Sequence, residues 1–363
     1  MLMKPESTST LRLYVGTYTD PERPLGIGLC EFDLNEGRLR LTESYPDIEN
    51  PSFLTLSADR SRLYAVSETE TYEDQEGGAV AAFAVEPASG RLTPLGMRAT
   101  HGGAPCHVSL DGNGRLLMVA NYMGGSVTVF PLEADGSLGE QAQLLRHEGA
   151  LGPNAERQEA PHAHSALPDP ANRFALAADL GLDRLLVAEI DGAARRLKPC
   201  GAAALAPGDG PRHFVFSADG RFVYLVNELS CTVTALAYDA EAGRLDAVQS
   251  LSTLPEGFSG ENTCADIHLS ADGRFLYASN RGHDSIALFA VDEADGRLRS
   301  IGFQPTLGRT PRNFALAPGG GFLLVANQDT DNITVFRVDA ATGLLTDTGH
   351  ALALPRPVCL VFA

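Results

Sequence analysis

The sequence predicts an all-β protein, a seven-bladed β-propeller with four antiparallel strands per blade and a ring closed by N- and C-terminal strands that share one blade. Three observations lead to this fold class. A unit of about fifty residues recurs along the chain, each copy alternates short apolar strands with turns, and the two chain ends complement one another. Repeats of this period are typical of propeller blades or solenoids, and four-stranded units repeated radially form a propeller.

The recurring unit is an apolar strand, an Asp-Gly-Arg turn or a relative of it, and a second apolar strand that ends in a polar pair. The clearest copies are residues 210–239, 264–292 and 311–339. Successive copies lie 47 to 56 residues apart, and they begin at Pro51, Pro105, Pro161, Pro211, Cys264 and Pro311.

Each copy is predicted to contain four short strands. The first three resemble residues 311–317, 273–279 and 285–291, and the fourth follows a turn such as 293–296. Alternating apolar residues bounded by Asp-Gly, Asn-Gly and Gly-Arg turns are the signature of hairpins. No segment has a convincing helical apolar period, which favours an all-β chain.

The two ends of the chain complete one further unit. Residues 12–18 match a second strand, 28–34 a third and 38–42 a fourth, whereas the missing first strand is found at 355–362. Six full copies and one split copy make seven blades. Pairing of the terminal strand with the N-terminal strands removes the exposed sheet edges that promote aggregation.

A radial repeat has no internal boundary, so residues 11–363 are predicted to form one domain after a flexible N-terminal segment, residues 1–10. Two stretches interrupt the pattern. Glu140–Ala160 lacks hydrophobic alternation and is predicted to be a long loop, and loops of that length are usually functional or mobile. Glu68–Gly78 is acidic and is interpreted as a solvated loop.

Composition limits the partners and the compartment. A net charge of -18 and a pI near 4.8 argue against nucleic acid as a partner and leave a small anionic ligand possible where cations gather locally. The six cysteines form no Cys-x-x-Cys pair, which indicates buried free thiols in a reducing compartment. Residues 1–10 are polar and contain no signal or membrane segment, so no membrane association and a cytoplasmic location are expected.

The polar pair that ends each second strand is one place where the copies differ. Its first residue is Asn, Asp, Ser or Thr in every copy, which suits a turn. Its second residue varies sharply, and turn chemistry does not require Glu228 or Arg281 there. Both would project from one face of the ring, as site residues or as ordinary surface charges.

The start of the first strand is the other informative place. The leading residues are Cys106, His164, Arg212, Ala265, Arg312 and Arg356, and they are followed by His107, Ser165, His213, Asp266, Asn313 and Pro357. Four of the six leading residues can be cationic. Near the axis they would line a channel suited to an anionic substrate, or they would form latches with carboxylates of neighbouring blades.

His162 and His164 alternate on a predicted strand, so they point the same way and could chelate a metal. No third ligand stands at a diagnostic spacing, and a catalytic or substrate-binding His164 is favoured. Serine-hydrolase, phosphate-binding and dinucleotide-binding motifs are missing from the sequence. No metal and no cofactor are therefore expected.

Seven short motifs are spread nearly from end to end of the chain: Tyr14-Val-Gly-Thr-Tyr-Thr, Asn50-Pro-Ser-Phe-Leu, Pro105-Cys-His-Val, His162-Ala-His-Ser, Gly210-Pro-Arg-His, Val226-Asn-Glu-Leu and Ser279-Asn-Arg-Gly. In this order and spacing, the chain resembles the lactonase family of seven-bladed propellers, which includes cycloisomerase-type 6-phosphogluconolactonases and fungal carboxy-cis,cis-muconate cyclases.

The resemblance implies a set of site residues. The histidine, two arginines and glutamate proposed for the muconate cyclases fall on His164, Arg212, Arg281 and Glu228. These four are also departures from the repeated scaffold. Further substrate-binding positions are expected at His107, Asn121, His162 and His213.

The function implied by this resemblance is hydrolysis of a sugar lactone, 6-phosphogluconolactone to 6-phosphogluconate. His164 or Glu228 would be the base, and Arg212 and Arg281 would bind phosphate or carboxylate. A muconate-type lactonising cyclase and a non-enzymatic binding scaffold are the alternatives, because a dicarboxylate also suits two arginines. A monomer or weak homo-oligomer is expected.

Overall fold

A computed structural model describes residues 10–363. These residues form a ring of seven four-stranded antiparallel sheets, which confirms the predicted fold class. The segment expected to be flexible lies outside the described residues, except Thr10, which begins the first strand. No helix within residues 10–363 has the length and apolarity needed to cross a membrane.

The strands are numbered in chain order, and the closing blade contains β1 (Thr10–Thr17), β2 (Ile27–Asp33), β3 (Arg38–Tyr45) and β30 (Pro357–Phe362). The next three blades contain β4 (Leu54–Leu56), β5 (Arg62–Ser67), β8 (Ala79–Val85) and β9 (Leu92–Ala99); β10 (Pro105–Leu110), β11 (Leu116–Asn121), β12 (Ser126–Pro131) and β13 (Gln143–Arg146); and β14 (Ala163–Pro168), β15 (Phe174–Asp179), β16 (Arg184–Asp191) and β17 (Arg196–Ala204).

The remaining blades contain β18 (Pro211–Phe216), β19 (Phe222–Asn227), β20 (Thr232–Asp239) and β21 (Arg244–Ser252); β22 (Thr263–Leu269), β23 (Phe275–Arg281), β24 (Ser285–Val291) and β25 (Leu298–Pro305); and β26 (Pro311–Leu316), β27 (Phe322–Asn327), β28 (Asn332–Val338) and β29 (Leu345–Ala353). The elements outside the blades are a hairpin of β6 (Thr71–Tyr72) and β7 (Gln75–Glu76), and a 3-10 helix, Gln328–Thr330.

Both predicted irregular stretches contain strands. Glu140–Ala160 is not one long loop, because its residues Gln143–Arg146 form β13, the outer strand of the third blade. The hairpin of β6 and β7 lies within Glu68–Gly78. Periodicity did not reveal these elements because each is only two to four residues long.

The ring closes as predicted, by pairing of the C-terminal strand with the N-terminal blade. Strand β30 runs antiparallel to β1, with Leu13 opposite Phe362 and Val15 opposite Leu360. The register differs from the sequence alignment, since Pro357 lies opposite Thr17, as Pro311 lies opposite Asn327. Val358 therefore occupies the position at the start of the innermost strand that was expected for Arg356. Arg356 itself lies before β30 begins.

The core lies between neighbouring blades. Central strands such as β19, which is buried along its whole length, are covered by a blade on each face, and this explains their nearly continuous apolar sequences. The closing blade illustrates the contacts: Leu13 and Phe32 pack against Phe322 and Leu324 of the seventh blade.

A shift in strand register recurs where the innermost strands begin. It falls between Pro105 and His107, between Ala163 and Ser165, between Pro211 and His213, and between Pro311 and Asn313. An extra residue in one strand redirects its side chain. The residues that have no partner on the adjacent strand at these shifts are Cys106, His164, Arg212 and Arg312.

We expect Gly16→Ala to destabilise the closing blade. An added Cβ would lie 2.2 Å from the carbonyl oxygen of Pro51, and that backbone cannot move aside cheaply. The free energy of unfolding in urea should fall by roughly 2–3 kcal/mol. Gly192→Ala is the control, because its Cβ would meet nothing within 4 Å. Equal midpoints for the two variants would contradict the packing argument.

Candidate active site

Three rings of side chains surround one mouth of the central channel, where the second strands end and the first strands begin. Hydrogen bonds from Tyr18 N to Arg356 O and from Glu228 N to Gly210 O each join the end of a second strand to the start of the first strand in the same blade. The rim consists of Tyr18, Glu68, Tyr122, Leu180, Glu228, Arg281 and Gln328. The first layer consists of Ser52, Cys106, His164, Arg212, Ala265, Arg312 and Val358, and the second layer of Phe53, His107, Ser165, His213, Asp266, Asn313 and Cys359.

Glu228 is the centre of a buried ion cluster. Its Oε2 accepts a hydrogen bond from Arg212 Nε at 2.9 Å and lies 2.9 Å from Arg281 Nη2. Its Oε1 accepts one from Arg157 Nη2 at 2.6 Å. The side chain of Glu228 is 4% exposed. Three guanidinium groups around one carboxylate leave this part of the mouth with an excess of positive charge.

These arginines keep Glu228 ionised. Burial alone would raise the pKa of this carboxyl, but Arg281, Arg212 and Arg157 outweigh burial and hold the pKa well below its usual range. A carboxylate stabilised in this way is a poor proton acceptor. Glu228 is therefore suited to holding the arginines in place.

His164 has the opposite character. Burial, and next the charge of Arg212, lower the pKa of this imidazole well below 6.5, so the ring is neutral at pH 7. Its Nε2 lies 3.9 Å from Glu228 Oε2, and its Nδ1 lies 3.7 Å from Cys106 Sγ. The structure thus brings His164, Arg212, Glu228 and Arg281 together, as the sequence predicts, and His164 can accept a proton.

Arg212 and Arg281 are held by backbone carbonyls as well as by Glu228. Arg212 Nη1 donates to Ala265 O at 2.5 Å, and Arg281 Nη2 donates to Cys264 O at 2.8 Å. Burial, followed by the charges of Arg281 and Arg312, lowers the pKa of Arg212 to about 10, so it stays charged at pH 7. The Nε of Arg281 is buried and has no hydrogen-bond partner within residues 10–363.

His213 and His107 belong to the second layer, below the ion cluster. His213 Nδ1 lies 3.0 Å from Asp266 Oδ1, and its Nε2 lies 3.4 Å from Arg212 Nη1. Burial and then Arg212 lower the pKa of His213 to about 4. The ring of His107 packs on Phe53 and on His213. Both histidines border a cavity of about 870 Å³ that continues along the channel toward the Asp111–Gly114 turn.

Asp266 anchors the second layer. It accepts hydrogen bonds from His268 Nε2 at 2.9 Å and from Asn313 Nδ2 at 2.6 Å, besides its contact with His213. Burial would raise its pKa, but His268 and His213 lower it well below the usual value. The layer therefore supports Arg212 from below.

Two other predicted positions have different surroundings. The amide nitrogen of Asn121 donates to Ser126 and Thr128 inside its own blade, whereas its buried Oδ1 has no hydrogen-bond partner within residues 10–363. His162 lies 3.0 Å from Tyr122 O and 3.1 Å from Glu159 Oε1, and its ring stacks on Tyr122. The same tyrosine meets His164 edge-on, so His162 borders the site behind Tyr122.

Sequence reasoning missed Arg157, Tyr122 and Glu68. Arg157 follows β13 in the segment predicted to be functional or mobile, and it also donates to Tyr122 OH at 3.2 Å. Glu68 is not simply a solvated loop residue, because it accepts hydrogen bonds from Tyr18 OH at 2.9 Å and from Ser52 Oγ. The signals available were the length of the Glu140–Ala160 segment and the position of Glu68 in the polar pair.

Within residues 10–363, no group of three or more His, Cys, Asp and Glu side chains is arranged to hold a metal ion. All six cysteines are free, and five are buried. Cys200 is exposed, contrary to the expectation of buried thiols, because it lies on the outer strand β17.

Known proteins share both the sequence pattern and the fold. The family model described as "Lactonase, 7-bladed beta-propeller" matches residues 12–362. The 6-phosphogluconolactonase of Bacillus subtilis is 38% identical over 308 residues, which cover 84% of each chain. The 6-phosphogluconolactonase of Formosa agariphila is 36% identical over 84% of this chain and 86% of its own. The solved structure of the Pseudomonas aeruginosa periplasmic gluconolactonase PpgL superposes with a TM-score of 0.89 at 37% identity, covering 98% of this chain and 99% of that one.

Replacing Glu228 by Gln should destabilise the protein, because three buried or half-buried arginines lose their counter-ion. The free energy of unfolding should fall by about 3 kcal/mol or more. Glu241→Gln is the matched control: its ion pair with Arg173 is also short, at 2.8 Å, but its side chain is 91% exposed. Urea titrations of both variants measure the difference. A wild-type midpoint for Glu228→Gln would refute a structural role for the cluster.

Proposed function

This chain belongs to the lactonase family of seven-bladed β-propellers, and on that basis we propose that it hydrolyses 6-phosphogluconolactone to 6-phosphogluconate. One observation supports the proposal in addition to membership of the family. The neutral, buried imidazole of His164 lies beside a cluster of arginines at one channel mouth. Lactone hydrolysis needs a base for water and cations for an anionic substituent and a developing oxyanion.

We assign the base to His164 rather than to Glu228. The neutral ring of His164 has a free nitrogen lone pair, whereas both carboxylate oxygens of Glu228 already contact arginine side chains. His164 would remove a proton from water as the water oxygen attacks the lactone carbonyl carbon. The imidazolium would then return that proton to the ring oxygen as the carbon–oxygen bond of the ring breaks.

The oxyanion of the tetrahedral intermediate would be stabilised by Arg281. Its guanidinium group is positively charged and its side chain is 13% exposed, and the Nε–H has no hydrogen-bond partner among the described residues. Arg212 would add positive charge nearby while Glu228 holds both guanidinium groups in position. Arg157, which is 38% exposed, would close this cluster on the solvent side.

We place the protein in the cytoplasm as a small-molecule enzyme. Six free cysteines support a reducing compartment, whereas PpgL is described as periplasmic. Cell fractionation with an antibody against the native chain decides between the two compartments.

His164→Asn should lower kcat for 6-phosphogluconolactone by about 10²–10⁴-fold, since the amide cannot accept the proton of water. His350→Gln, which changes a histidine on the outer strand β29, should match the wild type. Product formation is followed after the spontaneous rate is subtracted, with glucono-δ-lactone and a muconate as further substrates. Full activity in His164→Asn would remove His164 as the base, and turnover of the muconate alone would favour the cyclase.

The dependence of kcat/KM on pH should reflect the lowered pKa of His164. A base works only when deprotonated, so a lowered pKa keeps it competent below pH 6.5, and activity is lost only at more acidic pH. We expect kcat/KM to be constant from pH 7.5 to 6.5 and to fall only at a pH well below 6.5. A midpoint at or above pH 6.5 would be inconsistent with a buried, desolvated His164.

A further inference from the structure

We propose that Arg312, seated on the ring of Tyr18, binds the phosphate of the substrate at a subsite separate from the Glu228 cluster. This inference rests on the proposed function, because it assigns one substituent of that substrate. It also predicts a preference for phosphorylated over unphosphorylated ligands that can be measured without turnover.

Arg312 is the one first-layer arginine without a carboxylate partner in the described part of the chain. Arg212 pairs with Glu228, whereas Arg312 has no Asp or Glu oxygen within 4 Å and donates no side-chain hydrogen bond there. Its guanidinium carbon lies 5.2 Å from the centroid of the Tyr18 ring. The ring holds the planar group in place while its N–H donors stay unused.

A second guanidinium group converges on the same ring. The Cζ of Arg356 lies 5.4 Å from the Tyr18 centroid, and its side chain also has no ion pair among residues 10–363. Neither guanidinium group makes an ion pair or donates a side-chain hydrogen bond among the described residues, so both can donate to a bound anion. Guanidinium groups suit phosphate oxygens because they donate two parallel hydrogen bonds.

Tyr18 is fixed by the neighbouring blade. Its hydroxyl donates to Glu68, which also accepts a hydrogen bond from Ser52. Glu68 therefore serves the tyrosine and the serine and forms no ion pair with Arg312. The ring that orients Arg312 is thus held without a direct bond from Glu68 to Arg312; burial would lower the pKa of Arg312, but the charges of Tyr18 and Glu68 raise it.

The subsite is close to the reacting groups. Arg312 and Arg212 border the same small void, together with Ser52 and Glu68. The charge of Arg312 also contributes to the lowered pKa of His164, after burial, Arg212 and His213. A ligand with its lactone ring beside His164 can therefore place a charged end toward Arg312.

The test compares Arg312→Met with Arg337→Met. Arg337 is a matched control, because it also stacks on an aromatic ring, 4.8 Å from the centroid of Phe322, and has no carboxylate partner among the described residues. Met retains the apolar stem of Arg312 and removes the donors. Calorimetry measures the binding of 6-phosphogluconate and of gluconate, and kinetics measure KM for the two corresponding lactones.

For Arg312→Met we expect binding of 6-phosphogluconate to weaken about 100-fold, with a matching rise in KM for 6-phosphogluconolactone. Gluconate binding and KM for glucono-δ-lactone should change less than about threefold. Arg312→Lys should recover part of the loss, because an ammonium group supplies charge without the planar fork. Arg337→Met should behave as the wild type.

Three results would overturn the proposal: equal losses on both ligands, no loss on either, or a wild-type protein that binds 6-phosphogluconate no better than gluconate. Failure of the proposed function looks different, since the wild type would then hydrolyse neither lactone whatever its affinity for 6-phosphogluconate. Urea midpoints for all variants separate a folding defect from a binding defect.

Discussion

Pairing of β30 with β1 is the constraint on which the rest of the molecule depends. This ladder turns seven repeated sheets into a closed ring, so that seven innermost strands begin around one axis. His164 and Arg212 are 48 residues apart in sequence, Arg212 and Arg312 are 100 residues apart, and the three belong to three different blades. They face one channel mouth only because the ring is closed. Gly16 belongs to that junction, since its missing side chain lets the first blade approach the backbone of the second.

At that mouth, the charges around Glu228 and His164 give the two residues different roles, which their residue types alone do not determine. Glu228 and His164 are both buried, and burial acts against the charged form of each. Three arginines reverse this effect for the carboxylate, whereas Arg212 reinforces it for the imidazole. The result is an anion that organises cations beside a neutral base. In the second layer, Asp266 contacts His213 through a hydrogen bond, and His213 in turn contacts Arg212. The buried charged groups therefore form one connected network.

Much of the candidate site was predictable because the repeat is an internal reference. Positions such as Asn227 recur with turn chemistry, and its amide does donate to Thr232 and Thr234. Glu228 and Arg281 follow that position and break the pattern. Arg157 could not be found in this way, because it lies in an insertion with no counterpart in other copies. Asn121 stays a prediction for the site, and its amide nitrogen donates to Ser126 and Thr128 of its own blade.

The sequence by itself determined the seven-bladed ring, its closure by both chain ends, and the set of polar residues that depart from the scaffold. These follow from a period and from residue types, which are local properties of a chain. Only the tertiary structure decided the register that puts Val358 in the place expected for Arg356. Only it decided that Arg157 reaches Glu228 and that Arg312 has no carboxylate partner within residues 10–363. Register shifts, burial and ion pairing depend on distances between blades, and no spacing within one copy encodes them.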